Sequence, residues 1–177
     1  MYDLQYFFAK LRFKIRNEDT EVISDFFRKY GMKVGTGCKI YSNLLTPESY
    51  LVTIGDNVSI SNDVQIITHD NSISKVYPEY TDVFFRVTIG NNCFIGARAT
   101  IMGGVTLANN VIVAAGSVVT KSFREENIII AGNPARKIGN WDDFGTKYSP
   151  FGLNIEGMTS EQKKEYILNS KKIIEKE

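Results

Sequence analysis

The chain has 177 residues, of which 43% are hydrophobic and 23% are charged, enough for one domain with a sizeable core. Its 21 Lys and Arg residues nearly balance its 20 Asp and Glu residues, which argues against a nucleic-acid-binding protein, because phosphate neutralisation needs a concentrated basic surface. One histidine and two cysteines are too few for most zinc sites, so we expect no metal. No apolar run reaches about 18 residues and no secretion signal is recognisable, which favours a cytoplasmic protein.

The N-terminal segment is predicted to be helical. Apolar residues recur there at three- and four-residue spacing, as Leu4, Phe7, Phe8 and Leu11 and again from residue 22 to residue 30. We therefore expect residues 1–30 to form a helical cap on the body that follows. The basic residues of the first helix are Lys10, Arg12, Lys14 and Arg16. They either face water or contact an acidic membrane surface.

Aliphatic residues occupy every sixth position through the middle of the chain. The longest run is Ile89, Ile95, Ile101, Leu107, Val113 and Val119, and a shorter run is Ile54, Ile60 and Ile66. A period of 18 accompanies the period of six, because Asn91-Asn92 recurs as Asn109-Asn110. The pattern predicts a triangular coil of short parallel strands, with aliphatic residues on the axis and Asn and Gly at the corners. A β-sandwich with an accidental pattern is the alternative.

The repeats are interrupted once and are followed by a tail. Ile66 and Ile89 are 23 residues apart, which is not a multiple of six, so residues 70–86 are predicted to leave the coil as a loop. The C-terminal segment, residues 139–177, contains a capping box that begins at Thr159 and predicts a helix to about Lys176.

The hexads resemble those of the hexapeptide-repeat acetyltransferases. The residues that carry the resemblance are IGNNCFIGARATIMGGVTLANNVIVAAGSVVTK and AGNPARKI, within a region of roughly residues 31–138. The branch most similar to this chain contains the maltose, galactoside and polysaccharide O-acetyltransferases. The resemblance implies a mainly β fold, a left-handed parallel β-helix over residues 31–138, flanked by the N-terminal helical segment and the C-terminal helix. Uridylyltransferases and γ-class carbonic anhydrases share the hexad, but the first need a preceding nucleotide-binding domain and the second need three histidines.

The single histidine, His69, is the candidate catalytic base. It lies where the hexads give way to the loop, so its side chain can leave the core and face a groove. Imidazole accepts protons near neutral pH, and a positioned general base accelerates a reaction by about 10²–10⁴-fold. The resemblance implies that this position holds the family's catalytic histidine. Its orienting partner stays open among Asn43, Glu48, Asp70 and a backbone carbonyl, and a surface histidine without a role is the alternative.

The resemblance also implies a groove for acetyl-CoA. Ala97 and Ala115 are 18 residues apart, and small side chains at stacked corners expose backbone groups that a pantetheine arm can pair with. Simple corner packing is the alternative for the alanines. The further candidates that the resemblance assigns to the coenzyme are Ser61 at the matching earlier corner, Phe94 beside the thioester, and Lys121 and Arg136 near the phosphates. Solvated surface charge is the alternative for the two basic residues.

Taken together, the resemblance implies an acetyl-CoA-dependent O-acetyltransferase that acts directly on a saccharide hydroxyl, without an acyl-enzyme. Tyr77 and Phe85 of the loop are candidates for acceptor binding, whereas Cys38 and Cys93 occupy inward-facing positions typical of core residues.

The family assembles as a homotrimer with sites between subunits. Membrane association at the periphery follows if the acceptor is lipid-linked. N-acetylation of an amino sugar and a non-catalytic β-helix scaffold are the alternative functions.

Overall fold

A computed structural model describes residues 2–16 and 19–174. The chain divides into two compact units, Met1–Ile138 and Gly139–Glu177. The first unit holds two helices and the strands of the coil, and the second holds two further helices.

Two helices begin the first unit and confirm the helical prediction for this segment: α1 (Tyr2–Ile15) and α2 (Glu21–Lys29). The rings of Tyr6 and Phe27 join them, with centroids 5.9 Å apart. Arg28 ties α2 to the strands that follow, because its Nε donates to the carbonyl of Val34 at 2.8 Å. The helical segment therefore caps the first turn of the coil.

Short strands follow throughout the rest of this unit. In the described part of the chain they are β1 (Lys33–Val34), β2 (Lys39–Ile40), β3 (Val52–Ile54), β4 (Ser59–Ile60), β5 (Gln65–Ile66), β6 (His69–Asp70), β7 (Val83–Phe84), β8 (Val87–Ile89), β9 (Phe94–Ile95), β10 (Thr100–Ile101), β11 (Thr106–Leu107), β12 (Val111–Val113), β13 (Val118–Val119), β14 (Ile128–Gly132) and β15 (Ala135–Asn140).

Thirteen of these strands form three sheets, which we call walls. Wall A has the order β1-β3-β8-β11, wall B has the order β15-β14-β12-β9-β4-β2, and wall C has the order β13-β10-β5. In the regular turns, paired residues are 18 positions apart, as Thr88 with Thr106 in wall A, Phe94 with Ile112 in wall B and Thr100 with Val118 in wall C. The chain passes from A to B to C and back to A, which confirms the predicted triangular coil of parallel strands. We name the corners the AB, BC and CA edges.

The aliphatic residues of the hexads fill the axis of the coil. Ile60, Ile95 and Val113 are fully buried, one above another in wall B. Cys38 and Cys93 are also buried, and burial raises the pKa of both thiols, so they remain protonated packing groups. The core is therefore a column of side chains that each turn extends by one layer.

A ladder of asparagines stabilises the AB edge. Asn57, Asn92, Asn110 and Asn127 all adopt left-handed backbone conformations, with φ between 53° and 60°. Asparagine tolerates this region better than most residues. The side-chain amide of each of the first three donates to the amide oxygen of the next asparagine at 2.8 Å. The predicted corner role of the Asn91-Asn92 and Asn109-Asn110 repeats is confirmed.

The interruption in the hexads forms a loop at the CA edge. After β5 the chain leaves the walls, and β6 pairs antiparallel with β7 before the coil resumes at β8. A short 3-10 turn, Ser72–Lys75, follows β6. Gln65 consequently pairs with Thr100, 35 positions later instead of 18.

The second unit contains α3 (Trp141–Tyr148) and α4 (Ser160–Asn169). The predicted capping box is present, with the Thr159 side chain accepting from the backbone of Gln162 at 3.2 Å. The predicted length of this helix is wrong. It ends at Asn169 because Lys171 adopts a φ of +53°, which is incompatible with a continuing helix, and Lys176 lies outside the described residues. Across residues 2–16 and 19–174, no helix combines the length and apolarity needed to cross a lipid bilayer.

Candidate functional site

His69 takes part in a hydrogen-bonded network at the CA edge. Its Nδ1 lies 2.9 Å from Oε2 of Glu48, and Oγ1 of Thr68 donates to the same carboxylate oxygen at 2.9 Å. The Glu48 side chain is only 12% exposed, whereas that of His69 is 40% exposed. The network therefore has an acidic end set into the protein and an imidazole end open to solvent.

An irregular first turn of the coil places Glu48. Lys33 pairs with Thr53, which is 20 positions away, so this turn has two residues more than the regular 18. The additional length forms a 3-10 helix, Ser49–Leu51, and the Leu51 N–H donates to the carbonyl of Glu48 at 2.8 Å. The hydroxyl of Ser49 donates to the carbonyl of Thr46 at 2.8 Å and closes the turn. The 3-10 helix therefore directs the Glu48 carboxylate towards Thr68 and His69 in the next turn of the coil.

The surroundings of Glu48 favour its ionised form. Burial is the largest single effect on the pKa of this carboxyl group, and it raises that pKa. The hydrogen bonds from Thr68 and His69 lower the pKa and together outweigh burial, so the net shift is downward. An ionised carboxylate accepts hydrogen bonds only, so Nδ1 of His69 carries the proton of the shared bond. In the neutral imidazole, Nε2 then holds a lone pair that can accept a proton.

The other two predicted orienting residues make different contacts. The amide oxygen of Asn43 accepts from the N–H of Leu45 at 3.3 Å. The carboxylate of Asp70 accepts from the N–H of Ser72 at 2.7 Å, and this bond lowers the pKa of Asp70. Glu48, one of the three side chains that sequence left open, is hydrogen-bonded to His69 in the structure.

The aromatic residues of the loop divide into two groups. Phe84 pairs with His69 across the β6–β7 ladder, with ring centroids 6.4 Å apart. The ring of Phe85 packs on Gly103, where an added Cβ would lie 2.5 Å from it, so Phe85 anchors the base of the loop. Tyr77 is exposed farther along the loop, beside Tyr80. Sequence reasoning missed Thr68 and Phe84 as neighbours of the histidine, although the position before His69 and the loop's aromatic content pointed towards them.

The predicted alanine groove lies at a different corner, the BC edge. Ala97 and Ala115 occupy equivalent positions in successive turns, and the N–H of Gly116 donates to the carbonyl of Ala97 at 2.8 Å. The equivalent residue one turn earlier is Asn62, whose carbonyl accepts the corresponding bond at 3.0 Å. Ser61 lies at the same edge, one residue before Asn62, in the position equivalent to Gly96.

The remaining coenzyme candidates lie on two different sides of the coil. Phe94 points outward from wall B and is exposed. Arg136 is exposed in β15 at the end of the same wall, with its Nη1 donating to the carbonyl of Ala135 at 2.9 Å. Lys121 instead follows β13 at the CA edge, with its Nζ 5.5 Å from the centroid of Phe123.

Wall C separates the two parts of the predicted site within one chain. His69 follows β5 of this wall, whereas Ala97 precedes β10 and Ala115 precedes β13. The histidine and the alanines therefore lie at opposite edges of wall C, and a single chain does not bring them together. Over the described ranges, no group of three His, Cys, Asp or Glu side chains is placed to share a metal ion.

Comparison with known proteins gives consistent matches. Residues 86–121 match the family described as the hexapeptide repeat of succinyl-transferase. The chain is 42% identical over 151 residues to Protein CapG of Staphylococcus aureus, a match that covers 82% of this chain and 87% of that protein. It is 33% identical over 142 residues to the galactoside O-acetyltransferase of Escherichia coli, covering 78% of this chain and 70% of that protein.

A solved structure shares both the sequence pattern and the fold. It is a hexapeptide-repeat-containing acetyltransferase from Vibrio cholerae, complexed with acetyl coenzyme A. The two chains superpose with a TM-score of 0.55 at 26% identity, over 63% of this chain and 61% of that one.

Proposed function

Because the chain belongs to the hexapeptide-repeat acetyltransferase family, we propose that it transfers the acetyl group of acetyl-CoA to a hydroxyl group of a saccharide, with His69 as general base. The observation that carries this proposal is the hydrogen bond between Glu48 and His69 at the CA edge, where the His69 side chain is partly exposed to solvent. The relative named as a galactoside O-acetyltransferase supports a sugar hydroxyl as acceptor, and the Vibrio cholerae complex supports acetyl-CoA as donor.

The chemistry follows from the two ends of the imidazole. Nε2 of His69 removes the proton of the acceptor hydroxyl as its oxygen bonds to the acetyl carbonyl carbon. The carbon–sulfur bond then breaks, and His69 returns the proton to the departing thiolate. Glu48 keeps the Nδ1 proton in place and stabilises the positive charge that His69 carries between the two proton transfers. Direct transfer also agrees with the burial of both cysteines, which leaves no accessible thiol among the described residues to carry the acetyl group.

The BC edge suits a narrow donor. Gly96 is buried there, and a Cβ at this position would lie 2.4 Å from the backbone nitrogen of Ala115, so adjacent turns are packed as closely as backbone allows. Ala97 and Ala115 add only methyl groups outside this surface. A pantetheine arm carries two amides that can hydrogen-bond to exposed backbone groups, and Arg136 supplies a cation for phosphate on the adjoining wall.

The remaining family properties extend the proposal. We assign the left-handed sense of the coil and a homotrimer to this chain. A trimer can place the CA edge of one subunit against the BC edge of the next, which joins the two parts of the site that wall C keeps apart. The buried free thiols fit a reducing compartment, in agreement with a cytoplasmic enzyme.

The decisive experiment measures thiol release from acetyl-CoA with a panel of sugars and amino sugars. We expect turnover with hydroxyl acceptors, and His69→Ala should lower kcat by about 10²–10⁴-fold while calorimetry shows unchanged binding of coenzyme A. Asp70→Asn is the matched control, because this neighbour bonds to Ser72 instead.

Three outcomes would contradict parts of this proposal. Full turnover by the His69→Ala variant would show that another group is the base. Turnover restricted to amino groups would identify an N-acetyltransferase. A wild-type protein that binds no coenzyme A would favour a non-catalytic scaffold.

A further inference from the structure

Helix α1 has a second apolar face that the fold leaves uncovered. Its inner face packs into the protein, where Tyr6 and Ala9 are buried and Phe13 is half-buried against the core. The outer face carries five large apolar side chains that are 47–73% exposed: Leu4, Phe7, Phe8, Leu11 and Ile15. At about 100° per residue these five fall within an arc of roughly 100° on the side opposite Tyr6, Ala9 and Phe13.

Cations flank this outer face on both sides. At the same 100° per residue, Lys14 and Arg12 border this face on its two sides, while Lys10 and Arg16, which follows the last residue of α1, lie farther round; all four are exposed. The single acidic residue in the sequence of α1 is Asp3, in its first turn, against three basic residues. Arg16 lies 3.7 Å from Asp19 beyond the end of the helix, a distance typical of a weak exposed pair. The outer face is therefore apolar at its centre and positive at its margins.

The combination identifies the surface that can cover it. A contiguous patch of five exposed large apolar side chains is unusual for a monomeric protein surface. A second copy packed face to face would bring the two sets of cations together, which is unfavourable, and the proposed trimer contacts lie at the CA and BC edges instead. An anionic lipid surface offers acyl chains for the apolar centre and headgroup charges for the margins.

We propose that α1 docks the protein on an anionic membrane surface, with the outer face inserted at the level of the headgroups. This inference goes beyond the proposed acetyl transfer and does not depend on it. The geometry places the docking helix near the candidate site, because α2 joins α1 to the first turn of the coil, the same turn that carries Glu48. Two turns of a parallel coil span only about 10 Å.

Vesicle co-sedimentation tests the docking surface. The wild-type protein should bind phosphatidylcholine vesicles that contain phosphatidylglycerol, and should bind pure phosphatidylcholine at least about tenfold more weakly at low salt. Leu11→Glu should weaken binding to the anionic vesicles by at least about tenfold, because it places a charge in the inserted face. Leu168→Glu on α4 is the matched control, since Leu168 is 63% exposed on a helix outside the proposed surface, and it should bind like wild type.

A charge-matched pair of variants tests the margins. Lys10→Gln combined with Lys14→Gln should weaken binding by about 25-fold, since each cation near an anionic surface contributes about fivefold. Lys163→Gln combined with Lys164→Gln removes the same charge from α4 and should change binding less than about twofold.

Two further measurements separate this surface from other roles. Light scattering should give the same oligomeric state for wild type and Leu11→Glu, and turnover on a soluble acceptor should be equal in both. A change of oligomeric state in Leu11→Glu would assign the face to a subunit interface and overturn the proposal. Absence of wild-type binding to the anionic vesicles, or equal losses in the α1 and α4 variants, would also overturn it.

Discussion

At the scale of single residues, one carboxylate decides which nitrogen of His69 is available for chemistry. Without Glu48, the imidazole could carry its proton on either nitrogen and could rotate about its side-chain bonds. The short contact from Nδ1 to Glu48 fixes both the tautomer and the orientation of the ring. Thr68 holds the same carboxylate oxygen from the interior. In the proposed reaction, Glu48 is therefore a positioning residue that acts through the histidine.

The first prediction concerns the charge of this residue. Glu48→Gln preserves the shape and can still accept a hydrogen bond from Nδ1, but it cannot stabilise a positively charged imidazole. We expect kcat to fall by about 10- to 100-fold with an unchanged KM for acetyl-CoA. Asp70→Asn removes a neighbouring charge without touching the ring and should lower kcat less than about threefold. Equal losses of kcat in both variants would mean that the overall negative electrostatic potential near His69 matters, and not the hydrogen bond between Glu48 and Nδ1.

The second prediction follows from the lowered pKa of Glu48. In the folded protein its pKa lies below the usual value of 4.5, so the unfolded chain takes up this proton at a higher pH than the folded chain does. The contribution of Glu48 to stability is therefore present above about pH 4.5 and is lost as the pH falls through the folded-state value. Urea unfolding measured between about pH 5 and 3 should show a smaller loss of unfolding free energy in Glu48→Gln than in wild type. Parallel curves would contradict this assignment.

Sequence identified some of the site at this scale and missed other parts for physical reasons. His69 is recognisable because it is the single histidine and stands at the break in the hexads. Glu48 could not be chosen over Asn43 and Asp70, because the first turn has two additional residues whose path the six-residue spacing does not define. Phe84 reaches His69 through an antiparallel pairing inside the loop, which leaves no periodic pattern in the sequence.

At the scale of elements, the strands depend on stacking between turns. Most have only two or three residues, too few for independent stability, so each is held by the strands above and below it. The asparagine ladder at the AB edge contributes the same kind of support from side chains, with one hydrogen bond between each successive pair of its four asparagines.

The third prediction separates the two contributions of this ladder. Asn92 adopts a φ of +55°, accepts from Asn57 and donates to Asn110. Asn92→Gly keeps the backbone conformation but loses both bonds, whereas Asn92→Ala also forces a Cβ into the left-handed region. We expect the alanine variant to be less stable than the glycine variant by about 1 kcal/mol, and both to be less stable than wild type. Urea unfolding measures the difference, and equal stabilities would show that the left-handed backbone costs nothing at this corner.

The elements themselves follow closely from the sequence where a period exists. The six-residue spacing reports which side chains point to the axis, and the 18-residue recurrence of Asn91-Asn92 reports how many corners close a turn. The end of α4 was not predictable in this way. It depends on the left-handed conformation of Lys171, and lysine carries no local signal for that conformation.

At the scale of the whole molecule, wall C makes one chain insufficient for the proposed reaction. His69 lies at the CA edge of this wall, whereas Ala97 and Ala115 lie at its BC edge, in two successive turns. A cyclic assembly resolves this, because each subunit then offers its CA edge to one neighbour and its BC edge to the other. The proposed trimer is in this sense part of the active site.

The fourth prediction tests that arrangement by complementation. His69→Ala removes the base, and Ala97→Phe fills the groove at the BC edge, so each variant alone should have little activity. Mixed trimers formed by co-expression should recover activity, with about one functional site in three, because a wild-type His69 from one subunit then faces a wild-type Ala97 from the next. A chain that carries both substitutions, co-expressed with His69→Ala, is the matched control and should recover nothing, since no subunit in that mixture supplies the base. If mixed trimers of the two single variants are as inactive as their parents, both halves of the site belong to one chain.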